Sequence, residues 1–447
     1  MIINKYRSHF DFVKTFKISV TAFLSVVLAL FSSRPAKAEN YQPQVTKLEN
    51  WLLMNRDNST GLPHSHVGDD RFESWAITYD SAVVTLAYIV RGRIDDAKRI
   101  LDFYIQTPNA WRLGGIIEAV NPTNPALGED WSVRTGSNLW MGIASLHLYK
   151  ATGEKKYLEL ARKLADFAVS LQNNNEKDLN FGGIRLGPQG GDNVASDQHL
   201  GYDQNQPSFY EVFATEHSID AYALFNMLYQ ETEDAKYKEA KERTLNWLKR
   251  VAYNKGEHRF NRGYKRGLDL TIATDIHSWG ISALGVDTLD TFELGLAEKM
   301  IELIEKNCLS EVSFTKPDGK KVKVKGVDFI DYRTAASLSR KPLVSPEWTF
   351  QLINACGRLE SDFKRQGDIQ KEARYRGKRI ELIKSMLDLA IVSNNTLAYP
   401  YATQGGAIIG HEYSTPKDGN LSAIGVSYAI LALAGFDPLI YPSSQSK

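Results

Sequence analysis

Apolar and polar positions run along the chain in long blocks, and the blocks come in pairs. Positions 80–90, 136–150, 216–230, 274–284, 346–358 and 421–434 are mostly apolar or small. Positions 44–55, 94–106, 154–172, 234–251, 287–306 and 370–393 carry apolar residues at helical spacing, with charges between them. Both patterns predict helices. A helix that is apolar all round has to be buried, and an amphipathic one covers it. Six of each, in alternation, fit two concentric rings with the apolar helices inside. The helix over 44–55 has no apolar helix before it and pairs with the last one to close the ring. The inner helices start near 80, 137, 216, 275, 347 and 421, at intervals of 57 to 79 residues. That irregularity excludes a fixed-period solenoid. The variation falls in the loops before the inner helices, where a site is normally built. The expected fold class is all-α, an (α/α)6 toroid forming one domain over 39–447. One stretch departs from it. Lys320-Lys321-Val322-Lys323-Val324-Lys325 alternates within 311–331 and predicts a solvated β-hairpin arm. The turn-helix starts Thr152-Gly153-Glu154-Lys155-Lys156-Tyr157 and Thr232-Glu233-Asp234-Ala235-Lys236-Tyr237 resemble each other, a weak internal repeat.

The first 38 residues stand outside this pattern. Lys5, Arg7, Lys14 and Lys17 precede an apolar run over 18–31, and Ala36-Lys37-Ala38 follows. This is the layout of a secretory signal peptide cut after Ala38. The run is short for a spanning helix, which needs roughly 20 residues. The expectation is an exported protein, periplasmic or secreted, with no membrane anchor after cleavage. The segment holds 6 of the 54 Lys and Arg and 1 of the 53 acids, leaving 48 against 52 and a net charge of −4. That argues against a nucleic-acid partner. Export permits a disulfide between Cys308 and Cys356. Their apolar helical contexts suit two buried thiols equally.

Candidate chemistry gathers where the inner helices begin, because a ring of parallel inner helices points these ends one way. Tyr79 and Asp80, Glu216 and His217, Asp275 and His277, and Glu347 with Trp348 all fall there. Thr215 reads as an N-cap. Glu216 and Asp220 are four apart and share a face. Acids are enriched in first helical turns for dipole reasons alone. Four of six starts with a carboxylate, beside Trp279 and Trp348, form a pattern that this alone does not cover. Paired carboxyls suit glycosidic bond cleavage, one protonated and one charged. Crowding separates their pKa values. Aromatic faces stack on sugar rings, and Trp111 and Trp131, in loops, are the stronger candidates beside Trp75, Trp140, Trp279 and Trp348. His217, His277 and His411 fall on the same side, without H-E-x-x-H spacing, so no metal is assigned. His411-Glu412 lies in a glycine-rich loop placed to close over a substrate. No phosphate loop, Rossmann fingerprint or G-x-S-x-G motif occurs, and no cofactor is assigned.

The stretches Gly61-Leu62-Pro63 with Thr78-Tyr79-Asp80, Thr135-Gly136-Ser137-Asn138-Leu139-Trp140, Thr215-Glu216-His217-Ser218-Ile219-Asp220-Ala221-Tyr222, Asp275-Ile276-His277-Ser278-Trp279-Gly280 and Pro346-Glu347-Trp348-Thr349 resemble the six-hairpin glycosidase-like superfamily. The resemblance spans the chain after residue 38. It implies a carbohydrate-active toroid, in a superfamily that holds glycoside hydrolases, polysaccharide lyases and sugar epimerases. The expected function is an exported glycoside hydrolase acting on a poly- or oligosaccharide. Its acid/base pair is expected among Asp80, Glu216, Asp275 and Glu347. Glu216, walled by Phe213, His217 and Tyr222, is the expected general acid. Asp220, His217, His277, His411, Tyr79 and the tryptophans are expected to hold substrate. Two alternatives remain open. An epimerase or lyase requires His217, His277 and His411 to converge. A non-catalytic glycan-binding protein keeps the aromatic cleft without needing the carboxylates.

Overall fold

The computed structural model describes residues 40–124, 126–192, 208–409 and 414–441. The signal segment, His411 and Glu412 lie outside the described residues. The chain divides into Met1–Pro43 and Gln44–Lys447, and the second forms the ring.

Helix α1 (Gln42–Met54) is followed by four helical hairpins. These are α2 (Thr78–Val90) with α3 (Ile94–Gln106), α4 (Thr135–Thr152) with α5 (Lys155–Leu171), α6 (Thr215–Thr232) with α7 (Ala235–Trp247), and α8 (Thr274–Asp290) with α9 (Leu296–Asn307). A short α10 (Tyr332–Ser337) precedes the hairpin α11 (Pro346–Gln366) and α12 (Ile369–Leu389), and α13 (Ala423–Leu433) comes last. Helices α2, α4, α6, α8, α11 and α13 pack each on the next, and α13 packs back on α2, so the inner ring is closed. Its helices are apolar because they have no free side. Residues 135–148 of α4 and all of α13 are buried. The outer helices bury one stripe each, such as Tyr157, Leu160, Ala161, Leu164 and Ala168 of α5. Among the described residues no helix is long and apolar enough to cross a membrane. Cys308 and Cys356 are free buried thiols, pushed up to about 12 by burial.

Helix ends differ from expectation where two glycines compete. α8 continues beyond 284 to Asp290, with Gly285 held inside it at φ 69°. A Cβ at Gly285 would meet the Arg358 guanidinium at 2.2 Å, so this break serves packing rather than a turn. The hairpin turns at Gly295 (φ 72°) instead, and α9 starts at Leu296 rather than 287. α11 runs past 358 to Gln366, where left-handed Gly367 ends it. The loops also hold short strand pairs that the all-α reading does not foresee. The foreseen arm is present, Leu309–Thr315 against Lys321–Val327, with Val312 opposite Val324. It is solvated on one side only. Val324 and Val327 are buried, and Lys325 N–H donates to Ser385 Oγ of α12 at 2.6 Å.

The internal repeat has a physical content. Thr152 and Thr232 each precede a left-handed residue, Gly153 or Glu233, and each hydroxyl donates to the carbonyl four residues back. Three residues past each left-handed turn a Lys-Tyr pair clasps the preceding outer helix. Lys156 and Tyr157 hold Asp102, at 2.6 and 3.2 Å. Lys236 and Tyr237 hold Asp166, at 2.6 and 3.0 Å. Asp102→Ala is expected to cost about 1–2 kcal/mol, read as a lowered urea midpoint with unchanged slope.

Four inner helices open on a threonine bolted to the loop ahead of the next inner helix. Thr78 donates through N–H to the Glu118 carbonyl (2.8 Å) and through its hydroxyl to that of Ile117 (2.6 Å). Thr135 does the same with Leu186 and Arg185, Thr215 with Arg262 and Asn261, and Thr274 with Phe329 and Asp328. Thr215 is therefore a donor inside the first turn. Ala214 is the N-cap, without a side-chain cap. The clamps fix the register of each loop and set Glu118, Leu186, Arg262 and Phe329 at equivalent positions around the ring. The seam between first and last loops is closed by His66–Val67 pairing with Leu421–Ser422. The loop ahead of α11 is pinned by a buried ion pair. Arg340 grips both oxygens of Asp328 at 2.6 and 2.7 Å, with both side chains under 5% exposed.

Candidate active site

The clamped helix starts place Tyr79 and Asp80 of α2, Glu216 and His217 of α6, Asp275 of α8 and Glu347 of α11 at one end of the ring. One turn further in lie Trp140, Asp220, Trp279, Gln351 and Tyr428. Here the ring axis is filled. Trp140 and Trp279, from non-adjacent helices α4 and α8, meet with centroids 5.2 Å apart. Tyr79 packs edge-on against both, at 5.5 and 6.4 Å, and Tyr428 against Trp140 at 6.1 Å. The Tyr79 hydroxyl donates to Glu347 Oε1 at 2.9 Å and lies 3.0 Å from the Tyr428 hydroxyl. Gln351 Nε2 donates to the same Glu347 oxygen at 3.1 Å. These contacts make a firm aromatic floor, with a ring of acids standing on it.

The acids share one electrostatic neighbourhood with Glu216 at its centre. Burial pushes Glu216 up to about 7, against the fields of Arg134 and Arg262. Burial raises Glu347 to about 8, assisted by the charges of Asp80 and Glu216. Burial raises Asp80 to about 7, and Glu118 adds to this. Asp275 is held well above the usual range by burial and then by Glu216. So is Asp220, by burial and then by Glu216 and Asp275. Glu216 is partly exposed, whereas Asp275, Asp80 and Glu347 are 2–5% exposed and Asp220 is sealed. Neither Asp220 oxygen makes a hydrogen bond of good geometry. Asp220 is thus a floor residue under the Trp140 and Trp279 indoles, out of a substrate's reach.

Other expected site residues are dispersed. The His217 ring lies over Gly136, where a Cβ would come within 2.5 Å of Nε2. Burial lowers it to about 3, so it is neutral, and Nδ1 has no hydrogen-bond partner. His277 is sealed in α8, with Nδ1 on the Ala273 carbonyl at 2.7 Å, a structural contact. His411 falls outside the described residues. Trp111 is drawn away from the acids. Its indole donates to the Tyr104 carbonyl, and the Lys163 ammonium of α5 stands 3.4 Å over its face. Trp131 folds onto Gly128 in its own loop, partly exposed, two strands from Glu118. Trp348 packs edge-on against Phe329 at 4.8 Å, and Phe329 stacks on Tyr401. Tyr222 faces Thr288 and Arg358 towards the far end of α8, so it does not wall Glu216.

Glu118 is the site residue that the periodicity reading misses. It stands in the loop before α4, partly exposed, with Oε2 accepting from the Ser137 hydroxyl at 2.8 Å. Burial raises it to about 7, against the field of Arg134, and Glu216 contributes to the rise. No periodicity marks an irregular loop. The one signal is the repeated threonine at helix starts, which fixes where the following loop meets the ring. Among the described residues no three His, Cys, Asp or Glu side chains are grouped as metal ligands are.

Such a cluster leaves its mark on stability. Asp80, Glu118, Glu216 and Glu347 keep their protons to about pH 7 or 8 in the folded chain. Unfolded carboxyls release them near about 4. The contribution is fully present below the unfolded value and is lost as pH rises through the folded one. His66, His147, His217 and His277 act in reverse. Their folded values of about 3 to 4 give stability above the unfolded value of roughly 6.5, lost as pH falls. Above about pH 6.5 the carboxyls act alone. Stability is expected to drop by a few kcal/mol between about pH 6.5 and 8.5 in urea titrations. A flat profile there would contradict the clustering.

No protein-family model matches the chain, and no curated protein matches it by sequence. Solved structures do match over most of its length. A sugar epimerase from a ruminal bacterium shares 14% identity at a TM-score of 0.59, covering 89% of this chain and 98% of the other. A family 76 α-mannanase from Bacteroides thetaiotaomicron shares 13% at 0.58, covering 89% and 95%. An inactive variant of a family 76 α-1,6-mannanase from Salegentibacter sp., in complex with α-1,6-mannotriose, shares 13% at 0.55, covering 89% and 98%. At these identities the likeness is one of fold, and it is shared by glycoside hydrolases, sugar epimerases and an isomerase alike. The chain has the six-hairpin glycosidase-like fold, an (α/α)6 toroid.

Proposed function

We propose that the protein is a carbohydrate-active enzyme, exported by its first 38 residues, that hydrolyses glycosidic bonds in an oligo- or polysaccharide. One observation carries this reading. Glu216, partly exposed and raised to about 7, stands at the centre of carboxyls contributed by α2, α6, α8 and α11. A carboxyl still protonated near neutrality can give its proton to a glycosidic oxygen, and a neighbouring carboxylate can activate the water that replaces it. Glu216 is the general acid in this assignment. The complex of the Salegentibacter mannanase with α-1,6-mannotriose makes mannans the first substrates to try.

The second reading is a sugar epimerase, favoured by His217. It is neutral, adjacent to Glu216, and has an unpartnered ring nitrogen able to take a proton from a sugar carbon. One panel separates the two. The purified protein is incubated with manno-, gluco- and uronate-containing oligosaccharides. New reducing ends support hydrolysis. A changed epimer at constant reducing-end count supports epimerisation. Ultraviolet absorbance from an unsaturated product indicates a lyase. Glycan binding without turnover leaves a binding protein and sinks the enzymatic reading.

A further inference from the structure

The hydrolytic assignment needs a second carboxyl able to touch substrate, and most of the ring is poorly placed for it. Asp80, Asp275 and Glu347 are 2–5% exposed. Asp275 Oδ1 accepts from the Ile276 N–H at 2.8 Å, and Glu347 Oε1 is held by Tyr79 and Gln351. Asp220 is sealed in the floor. Glu118 differs on each count. Like Glu216 it is partly exposed. Its backbone is fixed on both sides, the N–H donating to the Ser132 carbonyl at 2.8 Å and the carbonyl accepting from Thr78. Its Oε2 takes the Ser137 hydroxyl at 2.8 Å, a bond that steadies the carboxylate form. Arg134, at the residue before α4, acts on Glu118 and Glu216 alike. The groups that face Glu118 are Arg134 and Ser137 at the start of α4, Asp130 in its own loop, Glu216 of α6 and Asp80 of α2.

We propose that Glu118 is the second catalytic carboxyl, working with Glu216 across Arg134. This rests on the hydrolytic reading. Glu216 gives its proton to the glycosidic oxygen as the bond from that oxygen to the anomeric carbon breaks. A water oxygen bonds to the anomeric carbon, and the proton it sheds passes to Glu118. Glu216 is left charged and Glu118 protonated. One proton then returns from Glu118 to Glu216 through solvent, and the site is reset. The two carboxyls titrate as a pair sharing one proton, which is the state the reaction starts from.

The test has two arms. In the first, Glu118→Gln and Glu118→Ala are compared with the parent on the panel glycan that the parent turns over. Both are expected to lose about 10²–10⁴-fold in kcat. Azide is expected to restore turnover to Glu118→Ala, with a glycosyl azide as product, because the anion fills the carboxylate's place. A merely structural role gives no azide rescue. Retained activity in Glu118→Gln overturns the proposal and leaves the hydrolytic reading standing. The second arm needs no substrate. Carbodiimide with glycine ethyl ester is applied to the full chain, and labelled carboxyls are mapped by mass spectrometry. Glu118 and Glu216 are expected to label together, ahead of Asp80, Asp275 and Glu347. Labelling of those three with Glu118 untouched overturns the proposal. Absence of turnover on every glycan, with Glu118 labelled first, refutes the hydrolytic reading and with it the catalytic role, leaving Glu118 an accessible carboxyl only.

Discussion

Glu216→Gln is expected to lower turnover by about 10²–10⁴-fold while the protein folds and unfolds as before. Glutamine keeps the shape of the side chain and removes its transferable proton. The substitution also removes an ionisable group whose charge raises Glu118, Asp220, Asp275 and Glu347. Its neighbours then ionise more readily, and stability above about pH 6.5 should rise in the variant even as activity disappears. Gain of stability with loss of turnover is what a strained functional group predicts. A variant that keeps full activity, measured by reducing-end release, removes Glu216 from the chemistry.

The largest effect on folding is expected from Arg340→Met, at about 3–5 kcal/mol. The guanidinium and the Asp328 carboxylate are each under 5% exposed and paired through two bonds of 2.6–2.7 Å. Removing the arginine strands a buried carboxylate that still accepts from the Leu343 N–H at 3.0 Å. Arg340 also donates through Nε to the Ile408 carbonyl at 2.6 Å, so the loop after α12 loses its anchor to the loop before α11. The Asp328 carbonyl is a clamp acceptor for Thr274, which ties the loss to the start of α8 and to Asp275. The double variant Arg340→Met with Asp328→Leu should recover most of the loss, because a matched apolar pair leaves no stranded charge. Equal losses in single and double variants, by urea unfolding, would show that the pair's partners rather than its charges hold the loop.

The architecture was legible because burial writes itself into period. α13 reads as apolar on every side and is buried on every side. α5 reads as striped and buries its stripe. Helix starts were legible too, since Asp80, Glu216, Asp275 and Glu347 sit in first turns and the ring brings them together. What failed was local. Gly285 and Gly295 look alike in a sequence, and only the Arg358 contact decides which of them turns the chain. Trp111 reads as an open loop tryptophan because nothing in its own neighbourhood announces Lys163, 52 residues away on α5. Glu118 was invisible for a related reason. A loop has no period, and its place at the site is set by a hydrogen bond from Thr78, a residue in another segment.

The clamps and the seam carry a consequence for how the molecule comes into being. Each inner helix is bolted forward to a loop that follows it in the chain, so a growing ring stays open until its end arrives. Tyr79 belongs to the first inner helix, yet it meets Glu347 and Tyr428, residues from the last two. Asn50 of α1 waits for the Asn395 carbonyl, and the Ser65 carbonyl for the Ala423 N–H. A chain lacking its final fifty residues would have five hairpins' worth of hydrophobic surface and no floor beneath the carboxyls. The chemistry is therefore switched on by closure itself. Until the ends of the polypeptide have met, the chain is catalytically silent, which suits a protein that has to be threaded unfolded through a membrane before it meets its substrate.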